Sequence, residues 1–354
     1  MATTGGRTTT GPAGAVASGT SNANVSQRED LANFITMITR EETPFLSSIG
    51  KSKATAIFHE WQTDELASPG NSKLVDGADF AAPGASQSEG GSAFNTVGPE
   101  RTRLGNYTQI NGKTIAVSGT RRAVDQAGVA DEYAYQLKKR GTELRRDVEH
   151  DLIHGYQVAN GSGTRTMGGF QSFINTEDTC VYASGTAVAA GDAGKGTVAP
   201  TLELEADRAA LSLSDIDAVM QKIYEQGGKA TKIMLSPKLR RDFSDLMVTD
   251  SGVRRNIDSD GKLRQSVDIY MSDFGDLMVV PNYIMGLSTG SGAAEHKDSC
   301  ALVYDPQWFA HATLRPLAEV DVGQKGDSTV GMLVEETTFE VKNPKGCGAI
   351  YGLK

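Results

Sequence analysis

Residues 121–153 read RRAVDQAGVADEYAYQLKKRGTELRRDVEHDLI and carry the strongest helical pattern in the chain. Apolar side chains recur there at spacings near four and seven, which places them on one face of a helix; they are Val124, Tyr133, Leu137, Leu144, Val148 and Leu152. Gly155 is a suitable stop, and Gly128 is a point for a bend or a break. At 1.5 Å per residue the pattern predicts a rod of about 50 Å. A rod this long needs other elements to cover its apolar stripe, so we expect the fold to be built around it.

The N-terminal side of this helix predicts a flexible tail followed by a short helix. Residues 1–25 are mostly Gly, Thr, Ala and Ser, with almost nothing to bury. The segment SQREDLANFITMI at 26–38 begins with a serine N-cap and has acids in its first turn. Its apolar residues Leu31, Phe34, Ile35 and Ile38 share one face. Such a helix has little core of its own, so we expect it to pack on another surface.

Two strand candidates flank a long connection between the tail and the helix. They span 52–66 and 104–118, and residues 67–100 between them are rich in Gly, Pro, Ser and Ala. A connection of that length inside a compact domain is usually functional or flexible. The sequence therefore predicts an extended hairpin arm over 52–118.

The rest of the chain mixes helices and strands. A helix capped by Ser212 or Ser214 ends at Gly227 and Gly228, and Pro237 opens a second helix over 237–247. Strand candidates cover 232–236, two segments within 267–285 around a turn at Gly275, 300–306, 312–322 and 329–344. There is no regular strand–helix–strand rhythm, which favours an α+β fold.

Composition narrows the classes of function. The net charge is −9 and the isoelectric point about 5.2, opposite to the balance of proteins that grip nucleic acid. An acidic wall can nevertheless enclose DNA, because carboxylates and phosphates repel each other. Cys180, Cys300 and Cys347 are far apart and form no CxxC pair, so we expect reduced thiols rather than disulfides or a zinc site. No apolar run approaches the length of a membrane span, and no secretion signal is predicted.

Three motifs resemble sites of chemistry and lack part of the required pattern. His150 and His154 have the spacing of zinc-protease ligands, but HDLIH has no glutamate base and no third ligand is evident. Ser288 lies in GLSTG, but no apolar helical period follows it, as a nucleophile elbow requires. GDAGKGT at 191–197 fails the spacing of a phosphate-binding loop. We therefore predict no catalytic residue, no cofactor and no metal site.

Several segments in a fixed order resemble the major capsid, or major head, proteins of tailed bacteriophages. In the N-terminal half they are REDLANFITMITREETPFLSSIGKSKA, EWQTDEL, YTQINGKTIAVSGT and AGVADEYAYQLKKRGTELRRDVEHDLIHG. In the C-terminal half they are KIMLSPKLRRDFSDLM, IYMSDFGDLMVVPNYIM, ALVYDPQWFAHATLRPL and FEVKNPKGCGAIYG. Each segment alone has low specificity, and their joint order over about residues 26–354 carries the resemblance.

The resemblance implies the capsid fold of tailed phages. Its expected parts are a flexible N-terminus at 1–25, an N-terminal arm at 26–51, an extended hairpin arm at 52–118, a peripheral domain at 119–200 and 312–354 that contains a long spine helix, and an axial domain at 201–311. Only about 25 flexible residues precede the arm, so a cleaved scaffolding domain is not expected and a separate scaffolding protein is implied.

The implied function is structural. Copies of the chain would form pentamers and hexamers of an icosahedral head that encloses a double-stranded DNA genome without sequence-specific binding. Portal, scaffolding and decoration proteins would be the other partners, with no membrane involved. The protein would reside in the virion, and in the host cytoplasm during assembly. Two alternatives remain open: the shell of a cellular nanocompartment, which shares the fold but encloses enzymes, and a hydrolase that uses Ser288 or the pair His150 and His154.

Overall fold

The computed structural model describes residues 39–66, 101–124, 128–159, 164–176, 178–183, 195–197, 208–249, 268–286 and 300–354. Its helices are α1 (Pro44–Ser48), α2 (Gly119–Ala123), α3 (Glu132–His154), α4 (Phe170–Phe173), α5 (Leu213–Glu225) and α6 (Pro237–Thr249). Its strands are β1 (Gly50–Lys53), β2 (Phe58–Thr63), β3 (Thr102–Tyr107), β4 (Gln109–Ser118), β5 (Val158–Ala159), β6 (Arg165–Thr166), β7 (Cys180–Tyr182), β8 (Lys232–Leu235), β9 (Ile269–Ser272), β10 (Gly275–Pro281), β11 (Cys300–Tyr304), β12 (Phe309–Lys325), β13 (Ser328–Val341) and β14 (Gly348–Tyr351).

The central helix α3 is shorter than the sequence pattern predicts. Asp131 caps it, and its carboxylate accepts the N–H of Tyr133 at 3.1 Å. The preceding residues form the separate helix α2, which ends where Val124 becomes extended. Gly128 has a φ of +82°, a left-handed conformation that breaks the helix as expected. The rod is therefore about 35 Å long, and Val124, which is 59% exposed, is not part of its buried stripe.

The stripe of α3 packs against two different partners. Leu144, Val148 and Leu152 are at most 1% exposed, as predicted for the buried face. Val148 and Leu152 join the aromatic core around Phe45 and Phe309. The other half of the stripe, Tyr133 and Leu137, packs against a small apolar cluster on strands β4 and β13, which consists of Ile115, Val117 and Leu333.

A four-stranded sheet lies under α3 in the order β1-β12-β13-β4. Strand β1 pairs parallel with β12, and the β12–β13 and β13–β4 pairs are antiparallel. Each strand predicted for the hairpin arm is divided in two: only β2 and β3 pair with each other, while β4 pairs with β13. The reason is burial, because alternate residues of β4 face α3 and need that sheet to hold them there. The two strands that can carry a projecting arm are therefore β2 and β3; the connection 67–100 lies outside the described residues.

A six-stranded sheet has the order β7-β14-β11-β8-β10-β9. Its two faces join the two large cores: one contacts the aromatic core near α3, and the other is covered by α5 and α6. Strands β7 and β14 belong to this sheet, although the expected boundaries group their residues with the peripheral domain. All residues of β11 are buried, and β14 and β8 supply the pairing that its two edges need.

The helices of the C-terminal half agree with their sequence signals. Ser212 and Asp215 form a capping box at the start of α5, and Gly227 follows the helix with a φ of +78°. Pro237 opens α6. No helix among the described residues has the length and apolarity needed to cross a bilayer. The tail 1–25 and the predicted helix at 26–38 lie outside the described residues.

Candidate functional site

The two histidines of α3 lie side by side, with ring centroids 4.9 Å apart, and differ in what else surrounds them. His154 is 7% exposed, and its Nδ1 lies 3.1 Å from Oε1 of Gln171 inside the core. His150 is only half-buried, with Nδ1 3.3 Å from the Asp151 carboxylate. Among the residues that the structure describes, no group of three His, Cys, Asp or Glu side chains converges as metal ligands would. Ser288 and residues 191–194 lie outside the described part of the chain.

The three cysteines are free and buried. Burial raises the pKa of the Cys180 thiol and of the Cys347 thiol to about 12, so both remain protonated at neutral pH. Cys300 Sγ lies 2.8 Å from the side-chain nitrogen of Gln171. These thiols therefore pack as core residues.

A buried carboxylate attaches the N-terminal segment to α3. Glu149 is fully buried, and its carboxylate accepts the backbone N–H groups of Phe45 at 2.8 Å and Leu46 at 2.6 Å. It also accepts the side-chain amide of Asn282 at 2.8 Å. Burial raises the pKa of Glu149, and these three donors oppose that rise. Helix α1, helix α3 and the end of β10 are thus held by one side chain.

The base of the β2–β3 hairpin is attached to the body by a fully satisfied amide. Asn106 is fully buried; its Nδ2 donates to the carbonyls of Phe339 and Gly168, and its Oδ1 accepts the Gly168 N–H. At the far end of β2, Lys345 Nζ lies 2.6 Å from Oε1 of Glu65. The described part of the hairpin is therefore attached to the body at both ends, and Trp61 between them packs against the core.

A second buried carboxylate fixes the sheet beside that hairpin. Glu336 on β13 accepts Arg165 Nη2 and Arg315 Nε, both at 2.7 Å, and the Thr108 hydroxyl at 2.8 Å. Burial alone would raise the pKa of Glu336, but the hydrogen bonds and the two guanidinium charges outweigh burial and lower it. Four segments of the chain meet at this carboxylate.

The elements held at these anchors expose apolar side chains. Beside β2, Ile57 just before the strand is 53% exposed and Leu66 just after it 97%. Beyond Thr313, strand β12 runs on without β1 and forms an outer edge of the described sheet. Val320 and Val322 are exposed on this stretch. Pro316 and the bulges there discourage strand addition, so contacts at this edge would be made by side chains.

A third exposed apolar patch lies on the outer strands of the six-stranded sheet. Ile269 and Met271 on β9 and Met278 on β10 point to one face and are all more than half exposed. Leu277 and Val279 point to the opposite face, where they are buried in the core with α5 and α6. Strand β9 is also the last strand of the sheet, so both this patch and an open edge face outward.

Many arginines have acidic partners rather than a free, continuous basic surface. Arg121 and Arg122 pair with Glu132 and Asp131, and Arg140 pairs with Glu143. Arg240 lies 3.1 Å from Asp268. These pairs lower the positive potential that a nucleic-acid site would need.

The described residues thus form a body of two sheets with exposed apolar patches, and known proteins share this fold. The major capsid protein of Escherichia phage Phieco32 is 30% identical over 258 residues, which cover 64% of this chain and 68% of that protein. The fold is shared with a structure from Mycobacterium phage Adephagia (TM-score 0.54, 11% identity, 92% of this chain and 94% of that chain).

The capsid of Myoviridae phage XM1 has the same fold, with a TM-score of 0.54, 12% identity, and coverage of 92% of this chain and 97% of that chain. An encapsulin from Synechococcus elongatus also shares it, with a TM-score of 0.51, 8% identity and coverage of 93% of both chains. The sequence model of the SU10 major capsid protein family matches residues 8–354, nearly the whole chain. The chain belongs to the SU10 major capsid protein family.

Proposed function

We propose that copies of this chain form rings of five and six in an icosahedral phage head that encloses a double-stranded DNA genome. Membership of a major capsid protein family supports this proposal. The structural observation that carries it is the combination of buried polar side chains, which hold neighbouring elements together, with exposed apolar patches on the surface. Glu149, Asn106 and Glu336 hold α1, the β2–β3 hairpin and the four-stranded sheet in place, while apolar side chains beside β2 and on β12 are exposed.

The physical mechanism is repetition of contacts between copies. A closed shell needs the same heterologous contacts many times around its symmetry axes. Each contact can be weak, because a subunit held by several neighbours gains from their combined effect. Rigid anchors help, since a projection with a fixed base loses less conformational freedom when it binds. The exposed patches on β2–β3, β12 and β9–β10 are our candidates for those contacts.

The domain division expected from the resemblance is part of this proposal, with one revision. Helix α3 and the four-stranded sheet form the peripheral domain, and the hairpin arm extends from it through β2 and β3. The axial domain comprises the six-stranded sheet with α5 and α6. We assign β7 and β14 to the axial domain because they pair within its sheet.

Portal, scaffolding and decoration proteins are the other proposed partners, and assembly would take place in the host cytoplasm. Packaged DNA would be enclosed by the shell and not bound tightly by its inner surface. The net charge of −9 supports enclosure, and so do the acidic partners of Arg121, Arg122 and Arg240. The proposal includes no catalytic step.

The nanocompartment alternative has less support. The likeness to an encapsulin is one of fold, at 8% identity, whereas the relative at 30% identity is a phage major capsid protein. A hydrolase has less support, because among the described residues no third ligand converges with the neighbouring rings of His150 and His154.

Electron microscopy of the purified protein tests the proposal. We expect closed particles with five- and six-fold rings, and we expect particles from infected cells to contain nuclease-resistant double-stranded DNA. Particles that enclose a protein cargo and no DNA would favour the nanocompartment. A protein that stays monomeric at high concentration, with and without a scaffolding partner, would contradict shell formation.

A further inference from the structure

A groove of about 360 Å³ lies between α1, α3 and β12. Its apolar lining comes from three directions and consists of Leu46, Ile49, Val148, Pro316 and Leu317. Lys51, Arg145 and Glu335 supply its charged groups. The groove adjoins the exposed stretch of β12 described above, and no element of the described chain fills it.

The groove exists because β1 stops early. Strand β1 pairs with β12 from Gly50 opposite Ala310 to Lys53 opposite Thr313. Beyond Thr313, β12 continues through bulges around Arg315, and the described residues place no strand beside it there. Leu317 consequently remains 38% exposed. An apolar surface between packed elements is thereby left uncovered.

A buried polar atom also faces this region without a partner. His311 is 7% exposed, and its Nε2 is buried with no hydrogen-bond partner among the described residues. Burial, together with the nearby charge of Lys51, lowers the pKa of His311 to about 4, so the ring is neutral at neutral pH. Buried polar groups in native proteins usually have a partner, which indicates that a further polar group reaches this site.

The chain itself leads to the groove. Thr43 is one of its lining residues, and the predicted apolar stripe at 31–38 lies a few residues before it in the sequence. Ile38, the last residue of that stripe, precedes Thr43 by five residues, which span at most roughly 17 Å. The stripe can therefore reach the groove of its own subunit. Glu29 and Asp30, at the start of the same segment, complement Lys51 and Arg145 of the groove.

We propose that this groove is the docking site of the apolar stripe of residues 26–40 of the same chain. The tether favours this occupant over a second copy, because a segment joined by a short linker has an effective concentration of about millimolar. Docking covers Leu317 and Pro316 and brings polar groups of the segment near His311. The inference does not depend on shell formation and can be tested on subunits that have not assembled.

Thiol labelling of unassembled subunits measures whether the groove is covered. In a Leu317→Cys variant, we expect maleimide to react slowly while the stripe is intact. Adding Phe34→Asp should release the segment and raise the labelling rate at least about tenfold. Val322→Cys is the matched control on the same strand, and its rate should not respond to Phe34→Asp. The native thiols are buried and contribute little background. Equal rates for Leu317→Cys with and without Phe34→Asp would overturn the proposal.

Disulfide trapping then identifies the occupant. The pair Ile35→Cys and Leu317→Cys should oxidise within one chain, as seen by peptide mapping of a band that runs as a monomer. The control pair Ile35→Cys and Val322→Cys should remain reduced. A link formed only between two chains would show that another copy fills the groove and would overturn docking within the chain. Failure of Ile35→Cys to form any disulfide with Leu317→Cys would also count against it.

Discussion

The Glu149 carboxylate accepts the backbone N–H of Phe45 at 2.8 Å, across 104 residues of sequence. The same carboxylate accepts the N–H of Leu46 and the amide of Asn282. Helix α1 has no side-chain cap of its own from Thr43. Glu149 therefore acts as a cap supplied from another helix, and the ring of Phe45 is placed against Tyr304 and Phe309 as a result.

We expect Glu149→Gln to destabilise the subunit by about 1–3 kcal/mol, the usual range for a buried hydrogen-bonding group left without its partner. A glutamine has one acceptor oxygen and turns an NH₂ group towards the remaining N–H donors. Urea unfolding of the unassembled protein measures the change. Glu225→Gln, on the exposed side of α5, is the control and should have little effect. Equal stability of both variants would show that the carboxylate does not hold α1.

Leu144→Ala should reduce assembly more than a change on the exposed side of α3. Leu144 is 1% exposed, and truncation of a buried leucine typically costs about 2–5 kcal/mol. Lys138 is exposed and serves as the control, whereas Lys139 is half-buried and less suitable. Thermal unfolding of the unassembled subunits measures the stability of both variants, and electron microscopy then measures how many closed shells each forms. A greater loss of assembly from Lys138→Ala would mean that α3 does not bury the face that contains Leu144.

Glu336 should give the subunit a measurable sensitivity to acid. Its pKa is lowered from an ordinary value of 4.5. A lowered carboxyl pKa adds stability that is present above the unfolded value and is lost as the pH falls through the folded value. We therefore expect the stability difference between the native chain and Glu336→Gln to be largest near pH 6. It should shrink below pH ~4. Urea unfolding at several pH values measures it, and a difference that stays constant from pH 6 to pH 3 would contradict the prediction.

The hairpin connection should be required for assembly and not for folding. Thr63 and Thr102 lie opposite each other, with hydroxyl oxygens 2.5 Å apart, so a short turn can close β2 and β3. We expect replacement of 67–100 by such a turn to leave a folded subunit, by circular dichroism and thermal melting, that no longer forms closed shells. A Gly-Ser segment of the original length is the control for length alone. Normal shells from the short-turn variant would show that the connection is dispensable.

Local patterns in the sequence predicted most elements, because each depends on residues close together along the chain. The stripe of Leu144, Val148 and Leu152 and the Ser212 cap are examples. The boundaries of α3 were less well predicted, since the turn at Val124 interrupts a pattern that otherwise continues. Pairing of β4 with β13 was not predicted either, because it joins residues more than 200 positions apart.

The anchors were missed for a related reason. Glu149 has Asp147, His150 and Asp151 close by in the sequence, and Asn106 lies in a short strand, so each has the sequence context of an ordinary surface residue. Only the fold shows that Glu149 receives N–H groups from α1 and that Asn106 reaches Phe339. A polar residue beside a predicted buried stripe is the one local signal that could have identified Glu149 in advance.

The packing of Phe45 against Phe339 also determines when, during translation, the fold can be completed. The two rings lie 5.9 Å apart between centroids, yet about 290 residues separate them in the sequence. At roughly 5–20 residues per second, a ribosome needs about 15–60 seconds to travel that distance. Helix α1 cannot take its final position until β13 has emerged from the ribosome. A prematurely terminated chain therefore lacks the partner of its own N-terminal segment, and only complete translation products can present a finished subunit.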